Sequence, residues 1–291
     1  MIKQLLAAAA IGACVVAPGA QDRTAFEVTS VRANMSGQRQ ASIQFTPAGD
    51  FTAVNQPVRV LLTFAYQIPL FRVEGMPDWF STERFDVVAK APAGLTVEPL
   101  AVVRGLLLRS LLEDRFKLKA RWVTKEMPAM ILTMARDDGR LGPQFRRSNV
   151  DCETAIAAAR GRGAGAPGAP AARVEPVCQL GGSSGGNRAG QATLCGRAVT
   201  MARLTEGFSG VYQRPVIDRT GLEGRFDFDL LFTPENLGGP FVAFGNLCPV
   251  LTGDPPSLST AMQEQLGIRI RAGEAPVEVL VIESAERPAE N

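Results

Sequence analysis

A few short stretches hold residue types and spacings that could do chemistry. Pro77-Asp78-Trp79 sets an acid beside an indole, with Arg84 close behind. An exposed Trp flanked by charge could stack on a sugar or receive a peptide side chain, so Asp78, Trp79 and Arg84 are the candidate ligand-binding residues; the competing role for Trp79 is a core plug. Asp218-Arg219-Thr220-Gly221 holds the acid, hydroxyl and glycine of an aspartic-protease loop, but Arg219 separates Asp218 from Thr220. An Asx-type turn between a helix and a strand, with Gly221 at positive φ, accounts for it better. Asp227 and Asp229 share one strand face. Paired-carboxylate hydrolysis needs two acids facing each other across a cleft, and these read as the solvent side opposite three phenylalanines. Arg84 and Arg225 each precede a Phe-Asp pair, which suggests structural ion pairs.

The chain has no histidine. That removes the Ser–His–Asp and Cys–His arrangements, imidazole bases and histidine-ligated metals, and leaves carboxylates, lysine and tyrosine for any catalysis. No catalytic residue, metal set or cofactor is expected. The sequence 163–168, GAGAPG, matches a dinucleotide-binding pattern formally, but it follows no strand and opens no helix. The stretch 181–186, GGSSGG, lacks the strand-to-helix setting of a nucleophilic serine and reads as linker. A net charge of +2 with no basic run argues against nucleic acid.

The N-terminus carries Lys3, an apolar stretch over 5–17 and small residues at Ala17 and Gly19, the pattern of a signal peptide over 1–19. The apolar stretch is shorter than the about 20 residues a membrane span needs. Ile11-Gly12-Ala13-Cys14 resembles a lipobox, so the alternative is a lipid anchor at Cys14. Either way the protein is expected to be secreted or periplasmic. Cys152, Cys178, Cys195 and Cys248 then remain, and four cysteines in an exported chain predict two disulfides of open connectivity.

Periodicity supplies the elements. Strands are expected at 26–32, in a hairpin over 43–55 turning at 47–50, and at 85–89 with Phe85, Val87 and Ala89 on one side. Val58, Leu61, Leu62 and Ala65 define one helix face, and Leu100, Val103 and Leu107 another. Phe116, Leu118, Ala120 and Trp122 alternate inward on a strand, with 128–135 as a neighbouring strand. After an Ala/Gly/Pro-rich stretch the pattern restarts. Thr200 caps a helix burying Met201, Leu204, Phe208 and Val211. A strand follows with Phe226, Phe228, Leu230 and Phe232 inward. Ser257 caps a helix burying Leu258, Ala261, Met262 and Leu266, stopped by Gly267, and the strands IRIRA and PVEVLVIE close the chain.

The halves match in order. Arg84-Phe85-Asp86 answers Arg225-Phe226-Asp227, FKLKA answers IRIRA, and KEMPAMILT answers GEAPVEVLV. The expectation is an α+β protein of two tandem related modules, each a small mostly antiparallel sheet with two packed helices. The modules occupy 20–150 and 193–291, and a flexible low-complexity linker occupies 151–192.

FEVTSVRAN, PDWFSTERFDVVAKAP, LLLRSLLEDRFKLKARWVTKEMPAMILTMAR, VTMARLTEGFSGVYQRPVIDRTGLEGRFDFDLLFTP and LSTAMQEQLGIRI together resemble the soil-associated secreted proteins of unknown function that occur as large paralogue sets in acidobacteria. The resemblance covers most of 26–291 apart from the linker. It implies no activity and no catalytic residues. Similar domains fused to membrane-bound sensor-type metallopeptidases would suit a sensing or binding role outside the cytoplasm. The passage VTMARLTEGFSG also resembles the small βαβ modules that precede outer-membrane secretins and TonB-linked receptors.

These readings converge on an exported, non-enzymatic binding or interaction protein of the envelope or extracellular space. Its partner would be an unidentified protein, small molecule or glycan. The alternatives are a hydrolase or lyase acting on envelope polymer through acidic residues, and a structural subunit of an envelope complex. Convergent acids with shifted pKa values in one pocket would mark the enzyme; an apolar patch or unpaired strand edge would mark the binding module.

Overall fold

A computed structural model describes residues 25–46, 48–93, 100–161, 178–184, 191–233, 248–249 and 251–289. The signal-peptide region, Cys14 and residues 163–168 lie outside the described residues. In chain order the first elements are β1 (Val28–Ala33), β2 (Ser42–Phe45), β3 (Phe51–Gln56), α1 (Val58–Tyr66), β4 (Val73–Glu74), α2 (Trp79–Thr82), β5 (Phe85–Lys90), α3 (Leu100–Arg115) and β6 (Lys119–Met134). Then come β7 (Phe145–Arg147), α4 (Cys152–Gly161), β8 (Gln179–Ser184), β9 (Ala192–Thr200), α5 (Met201–Tyr212), β10 (Val216–Asp218), β11 (Arg225–Phe232), α6 (Leu258–Ala261) and β12 (Ile268–Ser284). The protein is mixed α+β, and its sheets are mostly antiparallel.

The chain divides into two compact units. One holds residues 1–68, 76–119 and 282–291; the other holds 69–75 and 120–281. The first contains the antiparallel sheet β1-β5-β3-β2. Its pairing sets Val31 opposite Val87 and Ala53 opposite Val87, so Val31, Phe51, Ala53, Phe85, Val87 and Ala89 share one buried face. Helices α1 and α3 belong to this unit. Val58, Leu61, Leu62 and Ala65 are buried, as the helical period predicts. Gln67 ends α1 in the left-handed conformation with φ 53°.

The second unit contains two sheets, ordered β10-β6-β12-β4 and β7-β11-β9-β8. Phe145, Phe226, Phe228, Leu230, Phe232 and Phe208 fill its core. The rings of Phe145 and Phe226 stack at 4.7 Å. Helix α5 starts where Thr200 accepts a hydrogen bond from the Arg203 amide, and it buries Met201, Leu204, Phe208 and Val211. Ser257 likewise accepts from the Thr260 amide to start α6. From Met262 to Leu266 the helix widens to π geometry before Gly267 stops it with φ 73°.

Three expectations need correction. The strand pairs read at 116–135 and 268–283 are single long strands, β6 of 16 residues and β12 of 17. They lie side by side. The Ala135 amide donates to the Gly267 carbonyl at one end of the ribbon. At the other, the Glu286 amide donates to the Phe116 carbonyl, so the two run antiparallel. Pro128 and Pro276 are tolerated because β10 pairs only with Met130–Leu132 and β4 only with Leu280–Val281. At the prolines a missing N–H therefore breaks no ladder on that side. Trp122 is not inward: it is 43% exposed, and residues 119–128 bury no side chain fully. Finally, the stretch read as linker contains α4 and β8. Cys152 tethers the start of α4 to Cys178, and β8 pairs with β9 over Gln179–Ser184. Low-complexity composition gave way there to a covalent tie and a ready strand edge.

Candidate binding site

The candidate residue Trp79 opens the short helix α2. The Phe80 amide donates to the Pro77 carbonyl at 3.0 Å, and the Ser81 amide donates to the Asp78 carbonyl at 3.0 Å. Asp78 thus caps with its backbone, and its side chain stays exposed. Below, Trp79 meets Phe80 edge-on at 4.6 Å, Phe85 edge-on at 6.3 Å and Phe116 in a stack at 6.3 Å. Above, the guanidinium of Arg287 lies 5.3 Å from the indole centroid. Arg287 also grips Glu83: Nε donates to Oε1 at 2.9 Å and Nη2 donates to Oε1 at 2.7 Å. That hydrogen bonding raises the Arg287 pKa further.

Trp79 therefore packs on the aromatic cluster and is contacted by Arg287. The structure brings Asp78 and Trp79 together but sends Arg84 elsewhere. Glu83 and Arg287 join Trp79 instead. Sequence reasoning missed both, because an arginine in a polar tail carries no periodic signal.

Arg84 serves a different device. Asn55 adopts φ 54° at an irregularity between β3 and β5. Its amide donates to Asp86 Oδ1 at 2.8 Å, and Arg84 Nη1 donates to its carbonyl at 3.4 Å. The second Arg-Phe-Asp acts the same way. Ala198 has φ 51° opposite the irregularity in the β9–β11 pairing. Its amide donates to Asp227 Oδ1 at 2.7 Å, and Arg225 Nη1 donates to its carbonyl at 3.0 Å. The arginines bond backbone carbonyls here, where ion pairs were expected. Each motif satisfies both polar groups of a bulged residue whose ladder bonds are broken.

The remaining sequence candidates are structural. Asp229 accepts from Arg197 Nη2 at 2.8 Å, and both carboxylates on this strand are largely shielded rather than solvent-facing. Asp218 Oδ1 accepts from the Thr220 amide at 2.8 Å, and Gly221 has φ 70°, the expected Asx turn. Residues 181–184 of the glycine-serine stretch lie in β8. The four cysteines form Cys152–Cys178 and Cys195–Cys248. Among the described residues no helix is long and apolar enough to cross a membrane, and the disulfides are compatible with an extracytoplasmic location.

The two faces of the sheets differ between the units. In β7-β11-β9-β8, the face opposite the phenylalanines is closed: Thr193, Cys195 and Leu231 are buried there, and Cys195 is bonded to Cys248. In β1-β5-β3-β2 the corresponding face is open. Val28, Val88 and Val54 are 60%, 55% and 41% exposed. Val88 lies opposite Ser30 and Thr52, so Val28 and Val54 are its diagonal neighbours and the three form a stripe across three strands.

An α+β protein with an open apolar sheet face is a member of no functional class by geometry alone. Comparison supplies its family: residues 59–285 match the family described as "Protein of unknown function (DUF3738)", and the chain belongs to that family. No curated protein and no solved structure matches it.

Proposed function

We propose that this is an exported, non-enzymatic binding protein that receives an apolar surface of a protein partner on the open face of β1-β5-β3-β2. The observation that carries this reading is the valine stripe Val28–Val88–Val54. Two residues beyond the clamp aspartate stands Val88 in one sheet and Asp229 in the other; one residue before the bulge stands Val54 in one and Arg197 in the other. Where one sheet places a shielded ion pair, the other places exposed valines. Full burial of a valine is worth about 1.5–3 kcal/mol, so the half-exposed stripe leaves roughly 2–4 kcal/mol for a partner to recover. The hydrolase alternative draws little support from the acids singled out for it, since Asp227 and Asp229 already hold an amide and a guanidinium.

The two halves of the chain are read as products of one duplication. Their Arg-Phe-Asp clamps, their Tyr-Gln helix ends at Gln67 and Gln213, and the parallel pairings β4–β12 and β10–β6 support this. In those pairings each half's short strand adds to the long strand of the other half. Export rests on the N-terminal sequence and the disulfides.

The test places a photo-crosslinking residue at Val88 in the producing cell, with exposed Arg214 as the control position. A discrete protein adduct at 88 alone, lost on Val54→Asp, supports the reading. A clean position 88 under conditions that label abundant neighbours overturns it.

A further inference from the structure

The contact of Arg287 with Trp79 and Glu83 has two unequal halves. The receiving half is built into the unit's core. Trp79 rests on Phe80, Phe85 and Phe116, of which all three are buried. Glu83 is fixed just after the helix by its amide, which donates to the Trp79 carbonyl at 3.0 Å. The backbone of Glu83 and the indole of Trp79 are thus both anchored to the same short helix, which sets the carboxylate beside the ring. The donating half is the segment after β12. Strand β12 ends at Ser284, and residues 285–289 form no regular element. The Glu286 amide makes a single backbone bond, to the Phe116 carbonyl, before Arg287 reaches the site, and Pro288 follows.

The chemistry of the receiving half is selective. A planar guanidinium can lie over an indole and still offer two N–H groups in one direction. Glu83 takes that fork: both Nε and Nη2 of Arg287 reach it, and Nε bonds both of its oxygens, at 2.9 and 3.2 Å. An ammonium group can meet both partners, but less well, because it has no plane to stack and no fork to share. An aromatic-carboxylate pair filled by an arginine from an irregular segment is the arrangement of a receptor occupied by its own chain.

We propose that Trp79 and Glu83 form a binding site for an arginine side chain, held closed by Arg287 of the segment after β12 and opened to an arginine-bearing segment of another protein when that segment displaces Arg287. Occupancy by a tethered side chain corresponds to a local concentration in the millimolar range, so an isolated arginine competes poorly and a segment with further contacts competes well. The site stands apart from the valine face, and either can fail without the other.

The test uses the full mature chain carrying Trp122→Phe, which leaves Trp79 as the one indole. Its fluorescence and its indole N–H resonance are followed while N-acetyl-arginine amide is added. Expected is a saturable change in Arg287→Ala, a weaker response by about tenfold or more with Arg287 in place, and loss of the response in Arg287→Ala/Glu83→Gln. The Glu83→Gln chain keeps the shape of the side chain, and an unchanged melting curve shows that it folds. No saturable change in Arg287→Ala overturns the proposal. So does a response that survives Glu83→Gln, or an equal response to N-acetyl-lysine amide, since either would mean an unspecific cation–π contact.

Discussion

Asp86 Oδ1 accepts the amide of Asn55 at 2.8 Å, across a break in the β3–β5 pairing where Asn55 turns to positive φ. The same oxygen accepts Asn34 Nδ2 at 2.7 Å, so one carboxylate ties β1, β3 and β5 together. Asp227 holds Ala198 in the same manner in the other unit.

Asp86→Ala should therefore cost more than a surface substitution. Asn55 is buried, and its amide would lose its acceptor, at a cost of about 1–3 kcal/mol. Asp227→Ala should cost a similar amount for the same reason. Urea unfolding of the two variants checks this; a change within the scatter of surface mutants would mean water replaces the carboxylate.

The disulfides should contribute unequally. Cys152–Cys178 closes a separation of 26 residues and Cys195–Cys248 one of 53. Chain entropy makes the longer loop worth more by about 0.6 kcal/mol, within a total of about 2–4 kcal/mol each. Paired Cys→Ser variants compared by thermal unfolding give the order. Thiol titration of the denatured mature protein without reductant should find no reactive cysteine among the four.

Two glycine substitutions should move stability in opposite directions. Gly210 lies in α5 with open space where a Cβ would sit, so Gly210→Ala should stabilise by about 0.4–1 kcal/mol. At Gly142 a Cβ would collide with the Gln265 carbonyl and the Leu266 backbone, while the Gly142 amide donates to the Leu266 carbonyl at 2.9 Å. Backbone atoms cannot step aside, and Gly142→Ala should destabilise by more than Gly210→Ala gains. Melting temperatures of the two variants decide it.

Stability should fall in strong alkali through the two tyrosines, Tyr66 and Tyr212, since burial raises the phenol pKa of each, and that of Tyr212 to about 12. The unfolded chain ionises near 10, so between about 10 and 12 the unfolded state holds fewer protons than the native one and unfolding becomes easier as pH rises. Below that window Tyr212 leaves stability unchanged. Tyr212→Phe should flatten the alkaline slope, and phenolate absorbance should show Tyr212 titrating late while the chain stays folded.

Much of the local structure was legible in the residues. The buried faces of α1, α5 and α6 and the inward sides of β5 and β11 match the periodic positions one for one, because a helix or strand of fixed geometry can bury only what recurs at its own period. The caps Thr200 and Ser257 and the stop at Gly267 are equally local, since they answer orphaned backbone groups a few residues away. Of the candidate residues, Trp79 packs on Phe80, Phe85 and Phe116, while Arg84 turns to Asn55 and Arg287 reaches Trp79 from a distant stretch of the sequence, a pairing no local pattern shows.

What the residues determined by themselves is what physics settles within a few positions: which stretches coil or extend, which side they bury, which turns they end in, and that four cysteines would pair. The tertiary structure decided the rest. It made β6 and β12 single strands through their proline positions, because only the extent of the neighbouring pairings shows whether a missing N–H matters there. It matched Cys152 with Cys178 and Cys195 with Cys248, because disulfide partners are chosen by proximity in space. It closed one sheet face and left the valines of the other open, a difference that depends on which segments fold back over each sheet and is written in no single strand.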